Sequence, residues 1–205
     1  MTLFLTIAIP LLVLYLVFLV WYGGNGKPLR PDEIQAFFDT LDRMNLSQSE
    51  KEIIPEIQLL LAKDDGKEFV MQNLVRYRSK ALYPAGFSYS DDARAADKRY
   101  GKAIVIPLLR QGSVPVFIAR RSGSFIEPDG ADAWHYVAMV RYRSRRDLLK
   151  FALAIQRQDI AVHKWAALEK THVFPVKPLV SLILVRSMVA LLLALIGETL
   201  FLLAR

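Results

Sequence analysis

The sequence predicts an α+β protein: a ferredoxin-like βαββαβ domain with a two-helix N-terminal extension, and one transmembrane helix at each end. Three observations carry this reading. The chain of 205 residues is 53% hydrophobic yet 23% charged, and the apolar residues gather at its two ends. From Phe69 the apolar period shifts from helical to alternating. Finally, Val75-Arg76-Tyr77-Arg78-Ser79 recurs as Val140-Arg141-Tyr142-Arg143-Ser144, 65 residues later.

Residues 1–22 hold no charged side chain. As a helix they span about 33 Å, enough for a bilayer core of about 30 Å. Trp21 and Tyr22 close the run as interfacial anchors. No Lys or Arg precedes it and Trp21-Tyr22-Gly23 is a poor cleavage site, which favours a membrane span over a signal peptide. Residues 178–205 form the second candidate span, opened by Pro178 and closed by Arg205. Within it, residues 187–203 are a run of 17 with one carboxyl group, that of Glu198. Arg186 is expected to snorkel to the headgroups beside Lys177. An acid inside a span is a functional candidate by default, but Glu198 also lies within snorkelling reach of the far interface. Lys27, Arg30 and Arg43 follow the first span, and Lys164, Lys170 and Lys177 precede the second, with only Arg205 beyond it. That asymmetry places the middle of the chain in the cytoplasm and both termini outside. The expected divisions are 1–22, 23–66, 67–177 and 178–205.

The hinge Gly23-Gly24-Asn25-Gly26 leads to Pro31-Asp32-Glu33, a proline and two acids in a first helical turn. Ile34, Phe37, Phe38, Leu41 and Met44 then repeat at helical spacing. Ser47-Gln48-Ser49-Glu50 opens a second helix with capping-box character, and Ile53, Ile54, Ile57, Leu60 and Leu61 are its apolar stripe. Asp64-Asp65-Gly66 ends it as a turn; the other ligand positions of a calcium loop are absent. Residues 69–77 read as a strand. A helix from Ser90 or Asp91 to about Arg110 presents Ala93, Ala96, Tyr100, Ala103, Ile104 and Leu108 on one face, with a kink expected at Pro107. Gly112-Ser113 breaks it. A second strand follows over 114–121, a loop over 123–133 and a third strand over 134–142. Residues 145–156 and 160–170 are helical with a break near Asp159, and 173–176 supply a short fourth strand.

The repeat decides the topology. Each copy closes a strand that is followed by a helix and another strand, so two βαβ halves build a four-stranded antiparallel sheet with both helices on one face. The other face is then apolar enough to need cover, and a homodimer packing sheet on sheet is the economical solution. Residues 23–177 carry 25 of the 27 basic and 19 of the 20 acidic side chains, a net of +6. An anionic leaflet is the expected partner of that charge. No base-stacking platform motif is present, so nucleic acid is not expected.

The absence of cysteine excludes disulfides, thiolate metal sites and cysteine nucleophiles. His135 and His172 make no metal-ligand spacing with His163, and there is no HExxH, so no metal is expected. GxGxxG, GxxxxGK[ST] and GxSxG are also missing. Asp91-Asp92 and Asp129/Asp132 read as an N-cap and a turn. Arg76, Arg78, Arg141 and Arg143 are anion-binding in type, but a pseudo-twofold sheet puts the two pairs at opposite ends, which argues against one four-arginine pocket.

Residues 67–178 resemble the dimeric α+β barrel superfamily, and within it a bacterial family of domains of unknown function. The resemblance rests on Met71-Gln72-Asn73-Leu74-Val75-Arg76-Tyr77-Arg78 with Ala81 and Tyr83-Pro84, then Tyr100 and Pro107-Leu108-Leu109. It continues through Trp134, the Val-Ala-Met-Val-Arg-Tyr strand, Ser144-Arg145-Arg146-Asp147 and His163-Lys164-Trp165-Ala166-Ala167-Leu168-Glu169. Gly112-Ser113 replaces the usual Gly-Gly, and His135 the usual acid. The resemblance implies a bacterial dimer of the barrel type; the flanking spans lie outside the family pattern, and with them the expected location is the bacterial inner membrane. Relatives in the superfamily include haem-degrading and cofactor-free monooxygenases, which use a helix His and a first-strand Asn. The matching positions are His163 and Asn73, with Trp165 nearby, and Tyr77, Tyr100, Trp134 and His135 are the expected cleft lining.

The expected function is therefore that of a small integral inner-membrane protein, a non-catalytic accessory or assembly subunit with a membrane-protein partner and no cofactor. The alternatives are a haem-handling or monooxygenase-like enzyme, or a binder of an apolar ligand in the cleft.

Overall fold

The computed structural model describes residues 2–44, 46, 48–157, 159–180 and 184–204; Ser47 of the expected capping box and the flanking Arg205 lie outside them. In chain order the elements are α1 (Thr2–Gly23), α2 (Pro31–Asp42), α3 (Gln48–Lys51), α4 (Ile54–Leu61), β1 (Phe69–Tyr77), α5 (Ala93–Ala103), α6 (Val105–Arg110), β2 (Val114–Arg120), β3 (Tyr136–Tyr142), α7 (Arg145–Arg157), α8 (Ala161–Ala167), β4 (Leu168–Val176) and α9 (Val185–Leu203). They fall into two compact units, residues 1–25 with 178–205, and residues 26–177.

The first unit is an antiparallel pair of helices. Phe4 meets Phe201 edge-on with ring centroids 6.4 Å apart. At the other end the Arg186 guanidinium lies 4.9 Å from the centre of the Tyr22 ring. Between them the Tyr15 hydroxyl donates to the Arg186 carbonyl at 3.4 Å. A Cβ on Gly197 would come within 2.9 Å of Leu11 Cδ1, so the small residue marks the line of close approach. Both helices are long and apolar enough to cross a membrane, with mean hydropathies of 2.9 and 1.9. Arg186 belongs to the Tyr22 end. Glu198 lies towards the Phe4–Phe201 end, about 18 Å along the helix from Arg186.

The second unit is α+β, with a four-stranded sheet in the order β2-β3-β1-β4, every neighbour antiparallel. With the element order this is a βαββαβ connectivity. β1 pairs with β3 from Phe69↔Tyr142 to Val75↔Tyr136, and with β4 from Val70↔Val176 to Tyr77↔Leu168. Odd-numbered β1 residues face the helices. Phe69, Met71, Leu108, Tyr142 and Phe151 form one buried cluster there, and Val75, Ala81, Ala93, Ala96, Ala166, Ala167 and Leu168 another. Alanines at the contact of α5 with α8 let the two helices approach closely over the sheet. The second copy of the repeat starts α7 at once: Ser144 Oγ donates to Asp147 Oδ2 at 2.6 Å, and Arg143 grips the same carboxylate with two bonds of 2.8 Å.

Four boundaries differ from the sequence reading. The helix expected after residue 47 is two pieces, α3 and α4, because Pro55 cannot continue a helix but suits the first turn of a new one. The break between α5 and α6 falls at Ile104 rather than at Pro107. A proline ring clashes with the carbonyl four residues back, here that of Ala103. β3 begins at Tyr136, not Trp134, since the Tyr77 N–H leaves the ladder to donate to His135 Nδ1 at 2.9 Å. The fourth strand is β4, nine residues from Leu168, where the sequence predicts helix to 170 and strand from 173. Pairing with β1 overrides local preference: Lys170 lies opposite Arg76, and Thr171 Oγ1 donates to Leu74 O at 3.0 Å.

The extension packs on α7. Phe37, Leu41, Leu61 and Leu149 are buried together, and Arg146 holds Glu33 with bonds of 2.8 and 3.0 Å. Arg146 also donates to the carbonyls of Lys27 and Pro28. Gly66 has φ +69°, and a side chain there would run into the main chain of Gly26 to Pro28. Beside it, Lys177 pairs with Asp65 at 2.5 Å.

The Glu33 carboxyl is pulled down to about 2, first by the Arg146 hydrogen bond and then by the Arg30 N–H. A depressed acid stabilises the docked state fully above its unfolded value near 4.5 and loses that contribution as pH falls towards 2. The protection factors of the α2 amides should therefore fall over that window. In Arg146→Gln the exchange should already be fast at neutral pH; equal exchange in the two proteins would show that the pair does not hold the extension.

Candidate functional site

The helix-facing side of the sheet forms the floor of a cleft of about 1860 Å³. Its floor includes Asn73 and Ala138, which pair across the ladder, and Gly101 lines it from α5. Two small residues among larger neighbours leave the space. Tyr77, Tyr100, Trp134 and His135 line it, as do Asn73 and Trp165. The structure also brings in Asp97, Tyr136 and Lys164, which sequence reasoning did not single out.

Asp97 receives two hydroxyls, Tyr77 at 2.8 Å on Oδ2 and Tyr136 at 3.1 Å on Oδ1. Burial, then the Asp97 charge, pushes both phenols above their ordinary range, so each remains a donor at neutral pH. Tyr100 is raised by the same two causes. Tyr77 is further fixed by its ring contacts, stacked on His135 at 5.4 Å and covered by the Arg94 guanidinium at 5.4 Å. Asn73 spends both amide hydrogens on main-chain carbonyls, those of Met71 at 3.1 Å and Ala138 at 3.3 Å.

Lys164 is the exception in this set. Its ammonium sits 5.3 Å from the centre of the Trp165 ring and 5.8 Å from that of Tyr100. Among the described residues no acceptor or carboxylate bonds it. Burial lowers its pKa, and the Asp97 charge works in the opposite direction. Two aromatic faces only partly replace water around such a cation.

His163 does not line the cleft, although its neighbours in sequence do. Its Nδ1 shares a 2.9 Å hydrogen bond with the Tyr83 hydroxyl, and its ring meets Tyr83 and Tyr89 edge-on. Burial, then the charge of Arg99, lowers its pKa. The structure thus brings Asn73 and Trp165 to one cavity and holds His163 on the side of the loop that follows β1. Among the described residues no group of three or more His, Asp or Glu side chains is placed to hold a metal ion.

A signal for the missed residues was present. Asp97 is a carboxylate one turn from Tyr100 on the alanine-rich face of α5, and Tyr136 shares the parity of Val140 and Tyr142. Nothing in the sequence marked Lys164 as turned inward.

No protein-family model matches the chain, and no curated protein does. Two crystal structures of RPA0582 share its fold. The methylated protein aligns with 23% identity and a TM-score of 0.54 over 67% of this chain and 96% of its own. RPA0582 from Rhodopseudomonas palustris, described as a protein of unknown function, aligns with 22% identity and a TM-score of 0.54 over 67% and 98%. A dabb family protein with a ferredoxin-like fold, mll5499 from Mesorhizobium loti, aligns at 11% identity and a TM-score of 0.35 over 55% and 98%, below the level that establishes a common fold. The likeness to RPA0582 concerns the fold alone.

Competitive acetylation followed by mass spectrometry should show Lys164 reacting at a lower pH than surface lysines. Asp97→Asn should shift the midpoint lower still, because the carboxylate favours the charged amine. A midpoint that stays put in the variant would show that Asp97 does not act on Lys164.

Proposed function

We propose that this protein is a membrane-anchored binding subunit whose α+β domain takes an apolar small molecule into the sheet–helix cleft. The observation that carries this is the Lys164 ammonium, which among the described residues has no hydrogen-bond or carboxylate partner, in a cavity walled by Tyr100 and Trp165. Of the other polar groups that line the cleft, Asp97 is tied by two phenols and Asn73 by two carbonyls. An ammonium set between two aromatic faces suits the polar end of a ligand. Haem ligation gains no support from His163, whose ring is engaged by Tyr83 and Tyr89. On this reading the two end helices are the anchor, the basic domain faces the cytoplasmic leaflet, and the role is accessory rather than catalytic.

Mass spectrometry of molecules extracted from the purified full chain tests the proposal. Wild type should release an apolar compound that Ala138→Phe, which fills the floor of the cleft, does not. Identical extracts from the two proteins would refute it.

A second reading concerns assembly. On the face turned from the helices, Phe117, Met139, Gln72 and Phe174 form one cross-strand row, and Ala119, Val137, Leu74 and His172 the next. Phe117 is 46% exposed, and none of these side chains belongs to a buried cluster. Such a face suits a second copy packed sheet on sheet. Light scattering of the detergent-solubilised chain should give twice the monomer mass, and Met139→Arg should halve it. A wild-type monomer would exclude the dimer.

A further inference from the structure

The two copies of the Val-Arg-Tyr-Arg-Ser repeat are not equally satisfied. In the second copy α7 begins directly after Ser144, which places Asp147 between Ser144 Oγ (2.6 Å) and the Arg143 fork (2.8 Å twice). After Ser79 the chain wanders through residues 80–92 before α5 begins, so no acid takes the corresponding place beside Arg78. Arg78 Nε is buried with no hydrogen-bond partner. Among the described residues its guanidinium has no carboxylate.

Arg78 and Ser79 line a second hollow of about 520 Å³ with Arg76, Arg94 and His135. The carboxylates on its wall are committed. Asp92 caps α5 through the N–H groups of Arg94 and Ala95, at 2.8 and 3.2 Å, and Glu169 receives Arg76 twice at 3.1 Å. The Arg94 guanidinium lies over the Tyr77 ring and, among the described residues, has no carboxylate partner. His135 Nδ1 accepts from the Tyr77 N–H, so the proton of the neutral ring is on Nε2, a further donor. Tyr77, Asp92, Arg94, Ala133 and His135 line both this hollow and the cleft, so the two spaces adjoin.

We infer that the hollow beside Arg78 is an oxyanion site, in which the phosphate or carboxylate end of an amphiphile takes the position that Asp147 fills in the other half, its apolar chain running into the cleft. The apolar part of this inference rests on the binding reading above; the oxyanion part stands on the unequal halves of the repeat. Arg78 and Arg94 supply charge, and Ser79 and His135 supply further donors.

Isothermal titration calorimetry on the full chain in amphipol, with inorganic phosphate, octyl phosphate and octanol as probes, separates the parts. Octyl phosphate should bind at least tenfold more tightly than either phosphate or octanol. Arg78→Gln should weaken both phosphate probes about tenfold, and so should Arg94→Gln, a change on the exposed first turn of α5 that spares the fold. Ala138→Phe should reduce octyl phosphate to the level of phosphate and leave phosphate unchanged. If both arginine variants bind octyl phosphate like wild type, the oxyanion site is overturned even where Ala138→Phe still weakens the chain's binding. Octyl phosphate no tighter than phosphate, with both weakened by Arg78→Gln, would support a site for free oxyanion and overturn the amphiphile.

Discussion

β1 is hydrogen-bonded along both edges, and the rest of the domain takes its arrangement from that double pairing. A strand in this position cannot slip, because a shift of one residue would exchange its two faces. Phe69, Met71, Asn73, Val75 and Tyr77 are therefore committed to the helices, and Gln72 and Leu74 to the opposite face. The commitment places the cleft floor and the open apolar rows back to back on one strand. It also sets the ends: Arg141 lies across from Val70 and the Arg76 pair lies at the far end, so the repeated arginines serve separate surroundings.

Much of this was legible in the sequence because it is periodic or repeated. The strand at 69–77, the βαββαβ order and the Asp92 cap needed only alternation, a duplicated pentapeptide and a capping residue. The apolar ends were legible from length and lack of charge. What was not legible is decided by partners distant in sequence. β4 carries Glu169 and Lys170 at its start, a helical sequence by local preference, and becomes a strand because β1 offers it a complete edge. The cleft was readable in its aromatic lining but not in its charges. Asp97 and Lys164 look like ordinary surface residues of amphipathic helices. Only the close approach of α5 to α8 through their alanines turns them inward.

The two halves of the domain show how one sequence motif takes on different roles in different surroundings. Arg141 is held by Glu68 and donates to the Gly112 carbonyl at 2.9 Å, whereas its counterpart Arg76 is shared between Glu169 and Asp132. Tyr142 stacks on Phe69 in the core, while Tyr77 reaches a carboxylate. The structural half is the one in which the helix follows the motif without delay; the half with a long intervening loop has polar groups to spare.

The contacts at Gly66 bear on how such a chain is put together. The main chain entering the domain, Gly26 to Pro28, lies against Gly66, and the residue leaving it, Lys177, pairs with the neighbouring Asp65. The domain is thus entered and left at one point on its surface, the arrangement that lets a folded module be spliced into a turn without prising apart what flanks it. The helical hairpin and the α+β domain can then be regarded as two genes' worth of structure sharing one chain. In such an arrangement a change in the length of one part need not pull on the other.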